Sequence, residues 1–166
     1  MKTNLTLILA FLFAATAMSA QVSENQLISI PPFKVTANSA SVALVNSATK
    51  GNEPAAVQWT MTFSSNITSV IVQIGRVANS AHKTLSCSSF AIGQSMTCLI
   101  DGLNQNAIPS GTLAYVTVQY AGPPAGQSTS ITYSNPAASD PGGNAQSIDL
   151  YYTVSSQLAA SAWVSQ

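Results

Sequence analysis

Cys87 and Cys98 are the only thiols in this 166-residue chain, and both lie in the stretch KTLSCSSFAIGQSMTCLIDGLN. If Ile92 and Gly93 form a two-residue turn, Ala91 faces Gln94, Ser89 faces Met96, Cys87 faces Cys98 and Leu85 faces Ile100. Leu85, Cys87, Met96, Cys98 and Ile100 then share one side, so a β-hairpin holds its two thiols opposite each other on an apolar face. A metal centre would need more ligands nearby, and His82 is the only histidine. The expectation is one intra-hairpin disulfide, contributing roughly 2 to 3 kcal/mol by closing a short loop, and no metal or other cofactor.

Enzyme chemistry has little else to draw on. A serine triad would need His82 as base with Asp101, Asp140 or Asp149 to orient it, yet no GxSxG elbow occurs. Glycoside hydrolysis needs two carboxylates across a cleft, and there are only five acids, Glu24 near the N-terminus among them. Asp140 in SDPGGN could offer one carboxylate to calcium, but a single acid in a Gly-rich segment reads first as a turn. Asn66-Ile67-Thr68 matches the N-glycosylation pattern, which in a bacterial product is chance. The chain is expected not to be an enzyme.

A disulfide needs an oxidising compartment. MKTNLTLILAFLFAATAMSA has one lysine, an uncharged run from Leu5 to about Ala17, and small residues at its close, the layout of a secretory signal peptide. Cleavage after Ser19 or after Ala20 both fit. Residues 1–20 are thus expected to be a signal peptide, 21–25 a leader, 26–155 one domain and 156–166 a tail, with a secreted or cell-surface product and no membrane span after cleavage. Charged residues make up 6% of the chain and balance to zero. Lys34, Lys50, Arg76 and Lys83 are scattered, which excludes nucleic acid as a partner, because phosphate binding needs clustered cations.

The elements that would position any site read as strands. VQWTMTF puts Val57, Trp59, Met61 and Phe63 on one side, with Trp59 inward against the cysteines. SVIVQIG turns Val70, Val72 and Ile74 inward, and TLAYVTVQY turns Ala114, Val116, Val118 and Tyr120 inward against Leu113, Tyr115, Thr117 and Gln119. SIDLYYTV sets Ile148, Leu150, Tyr152 and Val154 against Asp149, Tyr151 and Thr153. With LISI (27–30), SVALVN (41–46), SITYS (130–134) and the hairpin, about nine strands result, separated by turn clusters such as KGNEP and NPAASDPGG. The fold class is all-β, two antiparallel sheets packed face to face. One helical turn is expected near NQNAIPSG, and the tail SSQLAASAWVSQ could be a short helix or a frayed end.

Taken in order, PAAVQWTMTFSSNITSVIVQIG, AHKTLSCSS, TCLIDGLNQNAIPSGTLAYVTVQY and NPAASDPGGNAQSI resemble the cohesin-like β-sandwich family, above all its stand-alone exported bacterial members. The resemblance runs from about Gln26 to Ser155 and is strongest at Gln58-Trp59 and CLIDGLNQNAIPSGTLA. It implies a jelly-roll (Ig-like) sandwich of about nine strands, the general fold of certain carbohydrate-binding modules. It further implies an extracellular setting and, as in cohesins that bind dockerins, a protein partner on an exposed sheet face. Those cohesins sit in long scaffoldins, whereas this is a single module, and no dockerin-contacting position carries over by residue.

Binding is therefore the expected activity. A protein partner, dockerin-like or a second copy, could dock on a sheet face or add a strand. Alternatively, outward aromatic rings could stack on a polysaccharide; Tyr115 and Tyr151 point away from the core, with Gln119 beside them as a third ligand-face candidate. A self-assembling extracellular subunit, using the uncharged surface and LAASAW, is the third possibility.

Overall fold

The computed structural model describes residues 25–36, 38–121, 129–151 and 156–157. The segment expected to be a signal peptide and the LAASAW tail lie outside them. The alternating stretches form strands, in chain order β1 (Asn25–Val35), β2 (Ser39–Ala48), β3 (Ala56–Phe63), β4 (Ile67–Ile74), β5 (Thr84–Cys87), β6 (Ser95–Asp101), β7 (Gly111–Tyr120), β8 (Ser130–Ser139), β9 (Ala145–Gln146), β10 (Asp149–Tyr151) and β11 (Ser156–Gln157), with one helix, α1 (Arg76–Ser80). These are the nine expected strands plus two of two residues each, β9 and β11. One sheet runs β10-β1-β2-β7-β4 and the other β11-β8-β3-β6-β5, with β9 on the flank of β8.

The core lies where the apolar sides of the two sheets meet. Val57, Trp59 and Met61 of β3 are fully buried, as are Cys98 and Ile100 of β6, Ile131 of β8, Val42 and Leu44 of β2, and Val116 and Val118 of β7. Each set sits at alternate positions, so period-two patterning alone turns them to a common side. Ladder partners align them across strands: Val57 with Ile100, Trp59 with Cys98, and Met61 with Met96.

The hairpin register is as read from the thiols. Leu85 opposes Ile100 and Cys87 opposes Cys98, and a disulfide joins the cysteines. Ser88 donates its N–H to Thr97 O at 2.9 Å, which makes that pair a hydrogen-bonded one. The next pair, Cys87–Cys98, is therefore non-hydrogen-bonded, the type in which backbones approach most closely, and its Cα atoms are 4.1 Å apart. Gln94 donates to Ala91 O at 3.0 Å across Ile92-Gly93, with Gly93 at φ 72°, which glycine reaches without a Cβ clash. Between Ser88 and Ala91 the chain leaves the ladder, and Phe90 meets Phe63 edge to face at 5.5 Å. The bridge is not enclosed between the sheets on both sides: Cys98 is buried, but Cys87 lies on the edge strand β5 and is exposed.

Other expectations are corrected. The pairing is not wholly antiparallel, because β1 and β10 run parallel through Gln26–Asp149 and Leu27–Leu150. The whole domain lies between these two strands, so the long connection a parallel pair requires is already present. Strand β1 extends beyond LISI, starting at Asn25 and passing an irregularity between Ile30 and Lys34 where two prolines sit. At the other end, Ser156–Gln157 pairs with Ile131 and Ser130, so sheet structure continues into the segment assigned to the tail.

Leu113, expected to face outward, is fully buried. Leu44 pairs with Ala114 while Val45 pairs with Thr112, so Leu113 is the extra residue of a bulge, which locally breaks the alternation. No helix forms around NQNAIPSG. The polar groups there are engaged elsewhere: Asn104 Nδ2 donates to His82 O at 2.8 Å and Asn106 Nδ2 to Ala81 O at 3.2 Å. Ile108 N–H donates to Pro54 O at 2.7 Å. Lys83, only 5% exposed, also holds this loop, its Nζ donating to Asn104 O at 2.9 Å. Burial lowers the Lys83 pKa, and the Asp101 carboxylate opposes that shift. The helix forms instead at α1, where Ala78 is buried against the core.

Candidate docking face

The outer face of β8-β3-β6-β5 is lined by the residues that alternate with the core. Thr60 and Thr62 stand on β3, Ser95 and Thr97 on β6, and Thr132 and Ser134 on β8. Ladder pairing sets Thr132, Thr62 and Ser95 in one row and Ser134, Thr60 and Thr97 in the next. The Thr62 and Ser95 hydroxyls are 2.8 Å apart and those of Thr60 and Thr97 3.1 Å apart. Ser88 Oγ extends the second row, accepting the Thr97 N–H at 3.0 Å. A pair of hydroxyls joined by one hydrogen bond keeps a second O–H and several lone pairs free, so the rows can still donate and accept.

Apolar groups punctuate this face. Leu99 follows in the next row, between Gln58 and Ser86. Beyond one end of β6 lies Ile92, 62% exposed, and beyond the other Leu103, wholly exposed. Seven residues of strand separate the two, about 23 Å. The one charged residue among these outward positions of β6 is Asp101, which accepts from the Thr84 hydroxyl. The arrangement is uncharged over most of its width, rich in hydroxyls and flanked by hydrophobes.

The other outer face holds two of the ligand candidates. Tyr115, half-buried, and Gln119, exposed, share one side of β7, four residues or about 13 Å apart. The Thr117 hydroxyl between them lies 2.9 Å from that of Ser41. Tyr151 ends β10, three strands away from β7, and pairs with Ile28. Its backbone is therefore about 14 Å across and about 7 Å along the sheet from that of Tyr115. The fold puts the two tyrosines in one sheet without making them neighbours.

The remaining candidates are dispersed. His82, at φ 55° in the link from α1 to β5, is exposed. Among the described residues no three His, Cys, Asp or Glu side chains gather. Asp140 is engaged as an acceptor: its carboxylate takes the Asn144 N–H at 2.8 Å and Asn144 Nδ2 at 3.0 Å. The Asn144 side chain first, then its backbone N–H, hold the Asp140 pKa below the ordinary 3.8, with Gly142 and Gly143 N–H adding to the effect and desolvation opposing it. A folded-state pKa below the unfolded one stabilises the fold above the ordinary value, and that contribution disappears as pH falls through the folded value. Urea unfolding from neutral pH to below 3.8 is therefore expected to show a steeper acid-side loss of stability in the native chain than in Asp140→Asn. Equal slopes would remove Asp140 as a contributor.

Neither a protein-family model nor a curated protein matches the sequence. The fold does match solved structures. The sixth cohesin of Acetivibrio cellulolyticus scaffoldin B, solved with a mutant Cel5 dockerin, superposes at a TM-score of 0.65 with 13% identity, over 78% of this chain and 95% of that one. The Clostridium thermocellum OlpC cohesin, from a type I cohesin–dockerin complex, gives 0.64 and 14%, over 78% and 90%. A non-cellulosomal cohesin from the hyperthermophilic archaeon Archaeoglobus fulgidus gives 0.59 and 13%, over 77% and 86%. With its two stacked sheets and hairpin disulfide, this chain has the cohesin-like fold.

Proposed function

We propose that this protein is an exported, non-catalytic binding module that docks a protein partner on the outer face of β8-β3-β6-β5. The observation that carries the reading is the composition of that face: hydroxyl rows over three strands, paired between β3 and β6, Leu99 in the next row, and exposed Ile92 and Leu103 beyond its ends. Hydroxyls that can both donate and accept, with apolar anchors at Leu99, Ile92 and Leu103 around them, offer the hydrogen bonds and apolar contacts that a specific protein interface combines. Two of the superposed cohesins were solved with dockerins, which supports a partner of that kind. Export is part of the proposal, supported by the apolar N-terminal run and by the disulfide. Among the described residues no helix is long and apolar enough to cross a membrane.

The test is calorimetric titration of the purified chain with a panel of dockerin domains, including the Cel5 and type I dockerins. At least one is expected to bind, with little dependence on salt because the face has few charges. Thr97→Arg, which places an unpaired cation in the middle of the contact, is expected to weaken binding about 100-fold, while Tyr115→Ala leaves it unchanged. No binding across the panel, combined with depletion of the protein by insoluble polysaccharide that Tyr115→Ala or Tyr151→Ala abolishes, would replace this reading with the carbohydrate-binding one.

A further inference from the structure

Among the described residues, β5 and β4 are outer strands of the two sheets. Strand β5 has four residues and is bridged to β6 through Cys87. Strand β4 differs. Its eight residues, ITSVIVQI, include no charge and no proline, the usual protections of a strand edge. Ile71 in its middle is 52% exposed. Its inward residues Val70, Val72 and Ile74 are only partly buried, whereas Val116 and Val118 on the neighbouring β7 are fully buried. Among the described residues no strand lies beyond β4.

We propose that β4 pairs antiparallel with β4 of a second copy of this chain, about a two-fold axis at Ile71. In that register Ile71 lies beside its own copy, Ser69 faces Gln73, and Val70 faces Val72. The exposed isoleucines cover each other on the outer face, and the half-buried valines do so on the inner one. Two five-stranded sheets become one of ten strands, with the backbone groups along the free side of β4 satisfied. Electrostatics permit the match. The chain is neutral overall, and β4 itself carries no charge, the nearest cation, Arg76, lying past its end at the start of α1. The surface is separate from the proposed docking face, so either can fail without the other.

Sedimentation equilibrium of the purified chain over a concentration series tests this. The native chain is expected to reach twice the monomer mass. Ile71→Lys and Ile71→Glu, each facing its own like charge, are expected to stay monomeric, with at least an approximately 100-fold weaker association. An equimolar mixture of the two variants is expected to recover the dimer, which shows that both still fold. Thr97→Arg is expected to dimerise as the native chain does. A monomer at every concentration, a dimer that survives Ile71→Lys, or a variant mixture that does not re-associate would each overturn the proposal.

Discussion

Replacing Trp59 with alanine is expected to cost about 3 to 5 kcal/mol, read as a shift in the denaturant midpoint at constant slope. The indole is fully buried between Val57 and Met61 on its own strand and faces Cys98 across the ladder. On its other side β8 bulges: Gln58 pairs with Ala137 but Thr60 pairs with Ser134, leaving Asn135 and Pro136 as the extra chain opposite Trp59. Asn135 takes φ 49°, a left-handed value that asparagine tolerates, and the proline sits at a bulge where no ladder donor is required. With the indole fully buried and β3 held by ladders on both sides, the space alanine would leave is expected to close only in part. Trp59 Nε1 has no hydrogen-bond partner among the described residues, which offsets part of its apolar contribution. Trp59→Phe removes that orphan donor while keeping a ring, so it is expected to cost under about 1.5 kcal/mol. Near-equal losses for the two variants would contradict a cavity-dominated account.

The same residue shows what a period-two pattern reveals. VQWTMTF fixes which side of β3 is buried, and the mirror arrangement about Ile92-Gly93 fixes the hairpin register, because both are local relations. Features that depend on distant chain were not readable. Leu113 is buried because β7 bulges against β2, an irregularity that alternation cannot signal. Five-residue α1 is too short to show a helical period. Cys87 is exposed because β5 lies at a sheet edge, and strand order is a property of the whole topology.

That limit applies most strongly to the docking face. Thr60 and Thr62 are visibly on the polar side of VQWTMTF, yet nothing in the chain says that Ser95, Thr97, Thr132 and Ser134 stand beside them. Ile92 and Leu103 read as turn residues, and only the fold shows that β6 sets them beyond opposite ends of one surface. Tyr115 and Tyr151 illustrate the converse. Alternation made them candidates for one surface, but the insertion of β1 and β2 between β10 and β7 separates their backbones. Sequence phase identifies which residues can form a surface, and topology decides which of them do.

Gly75→Ala is expected to destabilise the protein by about 3 kcal/mol or more, at the upper end of overpacking losses. Gly75 links β4 to α1 as the residue before the helix, and its N–H donates to Leu113 O at 2.6 Å. A Cβ there would lie 2.2 Å from Thr112 O and 2.5 Å from Leu113 C, both backbone atoms of a strand held on each side by neighbours. Its φ of −84° is open to any residue, so space alone requires the glycine. Gly93 provides the contrast. A Cβ there meets nothing within 4 Å, but φ is 72°, so alanine is expected to cost only about 1 to 2 kcal/mol of backbone strain. Chemical denaturation of both variants tests the order. If Gly93→Ala proves the more damaging, contact between the β4–α1 junction and β7 is not what holds α1 in place. If Gly75→Ala does, the damage should reach the docking face, because the chain leaving α1 leads through His82 and Lys83 directly into β5.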